Sequence, residues 1–280
     1  MSLLNKLTII ALSYKRQDYV LRLMNFWSYK GPKVHIVDGS PQPLDLNKIK
    51  NIDKNINYHH ILTSSSEYAD RFKIIGKFVT TPYVLMSSDD EFFIPSAVRD
   101  CISELEKDST ISTCIGRSMI ISLYKETLFG MQNHQNMSSI EDDDALDRVK
   151  KHFSTMLPVT YYAVTRSELL AYQLNALNHD LYKKIPGNLS DWLELQREIS
   201  ATCFGKNKVI DTLMWLRSVE NPSIPYLKHK DNKFLLPCSD ILRSNIPDLL
   251  KENDIDFKCA LLYRTVCSDL SDLKDVNYDV

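Results

Sequence analysis

The chain has 280 residues of which 44% are apolar, enough to bury the core of one large α/β domain or two small ones, which excludes a disulfide-stapled mini-protein. Glycine occurs 7 times where average usage would give roughly 20, so collagen-like, Gly-linker and Gly-loop phosphate-binding readings lose their basis together. The 34 Lys and Arg nearly cancel the 36 Asp and Glu, leaving no global basic field to draw the protein onto nucleic acid or an anionic membrane.

Taken in chain order, Leu7-Thr8-Ile9-Ile10-Ala11-Leu12 predicts a buried strand. Tyr19, Val20, Leu23, Met24 and Trp27 then recur at helical spacing, and residues 33–37 predict a second strand that stops at Asp38-Gly39-Ser40-Pro41. This is a β-α-β unit. A polar connection through His60 reads as loop, and the adjacent pair His59-His60 points to opposite sides of an extended chain, so it is no joint metal site. A helix with Tyr68, Ala69, Phe72, Ile75, Gly76 and Val79 on its apolar face follows and closes at Thr80-Thr81-Pro82. Tyr83-Val84-Leu85-Met86 predicts a third strand, with Ser87-Ser88-Asp89-Asp90-Glu91 at its C-terminal end. The next helix starts near Pro95 and turns Val98, Ile102 and Leu105 inward.

Two short strands are expected at 111–115 and 119–123, before a helix carrying Leu146, Val149 and Phe153. The acids Glu141-Asp142-Asp143-Asp144 in front of it complement the helix dipole better than they mark a second metal site. The second half is more helical: a strand at 160–164, a helix from Ser167 to about Leu177, and one from 190 to 204 with Ser190 as N-cap and Gly205 as its C′ residue. A segment at 211–217, a loop broken by Pro222 and Pro225, and helices around 241–250 and 257–273 complete the chain.

The longest apolar runs fall far short of the ~20 residues that span a bilayer. The first of them ends in Tyr14-Lys15-Arg16 rather than a small-residue cleavage site, so a cytoplasmic protein is expected. Six cysteines without a Cys-x-x-Cys pair read as reduced thiols, mostly in the core. No serine-hydrolase, zincin or Walker sequence occurs.

In open α/β sheets ligands bind beyond the carboxyl ends of strands, and two such ends carry acids here: Asp38, and Asp89-Asp90-Glu91. Three adjacent carboxylates repel one another, and a divalent cation with oxygen ligands, Mg²⁺ or Mn²⁺, is the natural compensation. Such an ion neutralises a diphosphate without a glycine loop. A solvated acidic turn explains the triplet alone equally well.

The order of features resembles the family-2 glycosyltransferases of GT-A fold: a strand into Ser13-Tyr14-Lys15-Arg16, a second ending in Asp38-Gly39-Ser40, then Thr81-Pro82-Tyr83-Val84 and Ser88-Asp89-Asp90-Glu91-Phe92. It is most similar to a bacterial subset with Thr-Pro-Tyr-Val before the acidic triplet and a Gly-Lys after a later helix, here Gly205-Lys206. The resemblance implies a mostly parallel central sheet flanked by helices over residues 1–235. Residues 1–118 form its nucleotide-binding half, 119–235 its acceptor-binding half, and 236–280 a C-terminal helical extension. It also implies that Ser13 and Tyr14 lie against the base, that Asp38 accepts a hydrogen bond from it, and that Asp89 lies near the ribose. Asp90 and Glu91 would face the metal, and Arg16 and Arg71 the nucleotide, where an arginine can grip phosphate; a surface arginine is the plainer alternative for Arg71. The chain departs from the pattern in lacking the usual proline, in Lys15 where asparagine is common, and in Glu91 for the last aspartate.

Inverting transfer needs a base for the acceptor hydroxyl. Asp191 and Glu194, three residues apart on one helical face, are the candidates, although carboxylates in a first helical turn also complement the helix dipole. Arg217 resembles a late family arginine, and Tyr161-Tyr162 could stack on a sugar. The resulting expectation is a metal-dependent inverting glycosyltransferase that uses a nucleotide-diphosphate sugar. Its acceptor would be a glycan or lipid-linked glycan of a bacterial surface polysaccharide, with peripheral membrane contact as a compatible mode. Nucleotidyl transfer and a non-catalytic nucleotide- or glycan-binding module are the alternatives.

Overall fold

The computed structural model describes residues 2–48, 52–62, 68–124, 127–133, 137–155, 160–176 and 190–218. The buried run at the start forms β1 (Leu7–Ser13), followed by α1 (Gln17–Trp27), which buries Val20, Leu23, Met24 and Trp27 at three-to-four-residue spacing. Next come β2 (Lys33–Asp38), β3 (Ile56–His60), α2 (Tyr68–Ile74), running on into a 3-10 turn over Ile75–Phe78, and β4 (Tyr83–Ser88). A two-residue strand, β5 (Phe92–Phe93), precedes α3 (Pro95–Lys107), in which Pro95 at the first turn needs no amide partner and Val98, Ile102 and Leu105 are buried.

The second half comprises β6 (Ile111–Tyr124), β7 (Thr127–Asn133), α4 (Ala145–Thr155), β8 (Val164–Arg166), α5 (Ser167–Ala176), α6 (Ser190–Phe204) and β9 (Lys206–Ser218). The strands make one sheet in the order β3-β2-β1-β4-β8-β6-β9-β5, with β7 on β6. The ladders β1/β2, β1/β4, β2/β3 and β6/β9 are parallel, and β8 joins the two parallel blocks antiparallel to both β4 and β6. The fold class expected from the sequence is therefore the one found, a mixed α/β fold around a mostly parallel sheet with helices against it.

The core is continuous across the sheet, from Leu23, Met24 and Trp27 of α1 through Ile9 and Leu85 to Phe93, Val98, Ile102, Met214 and Trp215. Cys101, Cys114 and Cys203 are buried and in no disulfide, while the other three cysteines lie outside the described residues. Of the acidic run in front of α4, Asp144 caps the helix, accepting from the amides of Leu146 at 2.8 Å and Asp147 at 3.1 Å, while Glu141, Asp142 and Asp143 pair with Lys208, Lys151 and Lys206. Among the described residues no helix is long and apolar enough to cross a membrane. The helices expected beyond 236 fall outside them.

Four sequence expectations are corrected. His59 and His60 lie in strand β3, not in a loop. The strand closes because the His35 and His59 rings stack on each other and on Phe78, with centroids 5.2, 5.0 and 4.0 Å apart, and so supply the half-buried face that the polar sequence conceals. Burial, then the neighbouring His59, pushes the His35 imidazole down to about 4. The two short strands at 111–115 and 119–123 are one, β6, whose ladder with β9 shifts register around Gly116. The strand expected at 160–164 is shorter and later, since Ala163 closes a turn onto Thr160. Gly205 ends α6 without a left-handed conformation, and its role is close approach: a β-carbon there would sit 2.7 Å from the Thr110 carbonyl oxygen and 2.9 Å from the Ser112 β-carbon. Replacing Gly205 with Ala is accordingly expected to destabilise the fold by about 1–3 kcal/mol through overpacking at this strand crossing, measured by chemical denaturation.

Candidate functional site

The parallel ladders bring the polar ends of the first strands to one level. Ser13 stands opposite Asp38 in the β1/β2 ladder, and Leu12 opposite Ser88 in the β1/β4 ladder. Asp89 is the first residue beyond β4, and its carboxylate accepts from Ser13 Oγ at 2.5 Å and from Arg16 Nη1 at 3.1 Å. The same Arg16 nitrogen lies 3.4 Å from Asp90 Oδ2. Burial pushes the Asp89 carboxyl up, and Ser13 and Arg16 pull it back toward the charged form. Arg16 reaches both acids because the chain reverses tightly between β1 and α1: Lys15 has φ of 57°, the left-handed region that asparagine adopts more readily than lysine. This gives a backbone reason for asparagine being usual at that position. The Lys15 amide donates to Ser40 Oγ at 2.7 Å.

Asp38 is completely buried and its oxygens are engaged within the protein. One accepts from the Ser40 amide at 2.8 Å and from the Ser40 hydroxyl, the other from the Tyr58 hydroxyl at 2.7 Å. Burial, then the Asp38 hydrogen bond, pushes the Tyr58 phenol up to about 12. In this conformation Asp38 shapes the loop after β2. Arg71, also buried, donates from Nη1 to the Ser13 carbonyl oxygen and places its guanidinium 5.8 Å from the half-buried Tyr14 ring. It braces the end of β1, with Tyr14 between it and Lys15, whose Nζ is 5.2 Å from the ring.

Glu91 is held from β9. Pairing of β5 with β9 sets Phe93 opposite Trp215, and the Trp215 indole nitrogen donates to Glu91 Oε2 at 2.7 Å. Arg217 Nε is 3.9 Å from Glu91 Oε1. Burial pushes the Glu91 carboxyl up to about 8, against the pull of the Trp215 hydrogen bond. Of the three acids Asp90 has the most open side chain, 13% exposed against 1% for Asp89 and 6% for Glu91. Among the described residues no group of three or more His, Cys, Asp or Glu side chains is arranged to hold a metal ion.

Of the residues that complete this surface, Arg22 and Glu198 carry no local motif, whereas Tyr162 belongs to the pair singled out for stacking on a sugar. Arg22 donates from Nη2 to the Asp90 carbonyl at 3.1 Å while lying over Tyr19 and Phe92. The Tyr162 hydroxyl is 2.9 Å from Ser88 Oγ and its ring packs 4.4 Å from that of Trp215, so Tyr162 is engaged in packing at the strand tip. The turn carrying Tyr162 is held by Glu198 of α6, whose carboxylate accepts from the amides of Thr160 and Tyr161 at 3.0 Å each and pairs with His152 Nε2 at 3.1 Å. Asp191 and Glu194 fall in the first turn of α6; their side chains lie outside the described residues.

No protein-family model matches the chain, and comparison with curated proteins gives no match. Solved structures do resemble it. S. aureus TarS 1-349 superposes with a TM-score of 0.58 over 97% of this chain and 75% of that one, at 13% identity. The same protein in complex with UDP-GlcNAc gives 0.58 over 96% and 76% at 14% identity, and in complex with UDP 0.53 over 98% and 94% at 14%. At that identity the likeness is one of fold.

Because the folded state holds the Glu91 proton up to about 8 and the unfolded chain releases it near the ordinary 4.5, the stabilisation is complete below 4.5 and is lost as pH rises through about 8. Glu91→Gln keeps an acceptor for the indole and removes the charge. It is expected to flatten this slope and to exceed wild type at pH 8 by on the order of 2–4 kcal/mol, read from urea denaturation at pH 5, 6.5 and 8.

Proposed function

We propose that the protein is a metal-dependent inverting glycosyltransferase that passes a sugar from a nucleoside-diphosphate donor to a hydroxyl of a glycan or lipid-linked glycan acceptor in bacterial surface polysaccharide synthesis. The observation that carries this reading is the Ser13, Arg16, Asp89 and Asp90 cluster at the carboxyl ends of adjacent parallel strands. Ligands of open α/β sheets are held at such ends. The solved structures of similar fold include complexes with UDP-GlcNAc and UDP, which supports a nucleotide-sugar donor here.

Mg²⁺ or Mn²⁺ would be held by Asp90, the most exposed carboxylate of the triplet, together with oxygens of the donor diphosphate; Glu91 would join it only after losing its proton and its indole partner. When bound there, the ion would neutralise the donor diphosphate as a Lewis acid. The chain's own residues supply the rest. Asp89, fixed by Ser13 and Arg16, orients the nucleoside, and Tyr14, next to Ser13 in the chain, offers a ring for the base. Asp191 or Glu194, on the first turn of α6, takes the proton of the acceptor hydroxyl. The acceptor oxygen forms its bond to the anomeric carbon as the bond to the diphosphate breaks, and the nucleoside diphosphate leaves with the electron pair.

Incubation with Mn²⁺ and a panel of nucleotide sugars, UDP-linked ones first, is expected to release nucleoside diphosphate, slowly by hydrolysis and faster with acceptor. Asp90→Ala should lower this release by about 100-fold or more at unchanged melting temperature. Full activity in that variant contradicts the metal assignment. Release of pyrophosphate from a nucleoside triphosphate and a sugar phosphate, without turnover of any nucleotide sugar, would identify nucleotidyl transfer instead.

A further inference from the structure

Arg197 of α6 is the one arginine among the described residues that the protein both buries and leaves with orphaned donors on two nitrogens while assigning it no anionic or carbonyl partner. It is 3% exposed, and neither Nε nor Nη1 has a hydrogen-bond partner. The guanidinium lies between two rings, 4.3 Å from the centroid of Tyr161 and 5.1 Å from that of Phe72. Arg148, also buried, shows what a structural arginine does in this fold: it donates to the carbonyls of Thr202, Cys203, Asp142 and Asp143. The nearest acid in sequence, Glu198, spends its oxygens on the Thr160 and Tyr161 amides and on His152.

A guanidinium does not deprotonate in a protein, so Arg197 stays charged. Ring faces offset only about 2 kcal/mol of the cost of removing such a charge from water, and they accept none of its hydrogen bonds in the ordinary sense. A buried cation with open donors is what an anion site looks like before its anion arrives. Its place in the fold is consistent with that. Phe72 follows Arg71, which braces the end of β1, and Tyr161 precedes Tyr162, which touches Ser88 at the end of β4. Arg197 therefore lies in the seam where α6, the helix that carries Asp191 and Glu194, meets α2 and the turn at 160–163, both of which also send a side chain to the strand tips.

We infer that Arg197, its guanidinium held by the rings of Phe72 and Tyr161, receives a phosphate group of the substrate on its open donors. Two sources share this chemistry: the donor diphosphate and a phosphate carried by the acceptor. Only the identity of the carrier rests on the glycosyltransferase reading; the anion site does not.

The test is thermal unfolding of the full chain with inorganic phosphate, against chloride at matched ionic strength. Phosphate is expected to raise the wild-type melting temperature by roughly 2–4 °C. Arg197→Met should lose that increment and, without phosphate, be at least as stable as wild type, because an apolar side chain replaces an unpaired buried charge. A clamp with a purely structural role predicts the reverse: a less stable Arg197→Met with an unchanged phosphate increment. That result, or a wild type that phosphate does not stabilise beyond chloride, overturns the inference. Should Arg197→Met fail to fold, Arg197→Lys keeps the charge, and an affinity for phosphate weakened about tenfold is expected of it, an unchanged one contradicting the site. Saturating UDP separates the sources. A phosphate increment abolished by UDP assigns the site to the donor, and one that persists assigns it to the acceptor. If UDP stabilises no variant while phosphate does, the nucleotide-sugar reading falls and the anion site stands.

Discussion

The Asp89 carboxylate is almost wholly withdrawn from water at the end of β4, and the neighbouring structure is organised to keep it there. A lone buried acid would hold its proton, so the burial is tolerable as a charge only because Ser13 and Arg16 hydrogen-bond to it. Arg16 reaches it only if the chain reverses at Lys15 with a left-handed residue. The Lys15 amide is taken by Ser40, Ser40 is held by Asp38, and Asp38 by Tyr58 of β3. One hydrogen-bonded chain thus runs across the tips of β3, β2, β1 and β4, and it sets the geometry of the proposed nucleotide site before any ligand arrives. Preorganisation of this kind lowers the ordering cost of binding.

The second half of the chain reaches that site through a few side chains. β9 delivers Trp215, whose indole donates to Glu91, and Asp90 is the most exposed acid of the triplet. α6 delivers Glu198, which pins the Thr160–Tyr161 turn and with it the Tyr162 contact to Ser88. Arg197 stands next to Glu198 on the same helix, so the element that positions this turn also presents an unpaired cation to the seam. The first and second halves of the described chain are joined here by polar contacts of named residues as well as by the apolar core.

What the sequence made legible follows from how each signal arises. Buried strands such as β1 and β4 are read directly, since both faces are covered and the run is continuously apolar. The convergence of Asp38 with the acidic triplet follows from parallel pairing and strand ends alone. β3 was hidden because His35, His59 and Phe78 supply its packing, and imidazoles read as polar until their neighbours are known. The two-strand reading of 111–123 failed at Gly116, where a register shift bends a strand without ending it. The triplet showed which residues carry charge but not where each points. The engagement of Glu91 by Trp215 depends on β9, more than 120 residues away, and no local pattern encodes it. The unpaired state of Arg197 is likewise a property of the folded surroundings.

The central claim is that the linked strand tips form a nucleotide site, and hydrogen exchange with and without UDP tests it most directly. Backbone amides at 13–16, 38–40 and 88–91 are predicted to exchange about tenfold or more slowly in the presence of UDP and Mn²⁺, with α4 over Ala145–Thr155 unchanged. Unchanged exchange at those tips, or protection confined to other parts of the chain, would contradict the account.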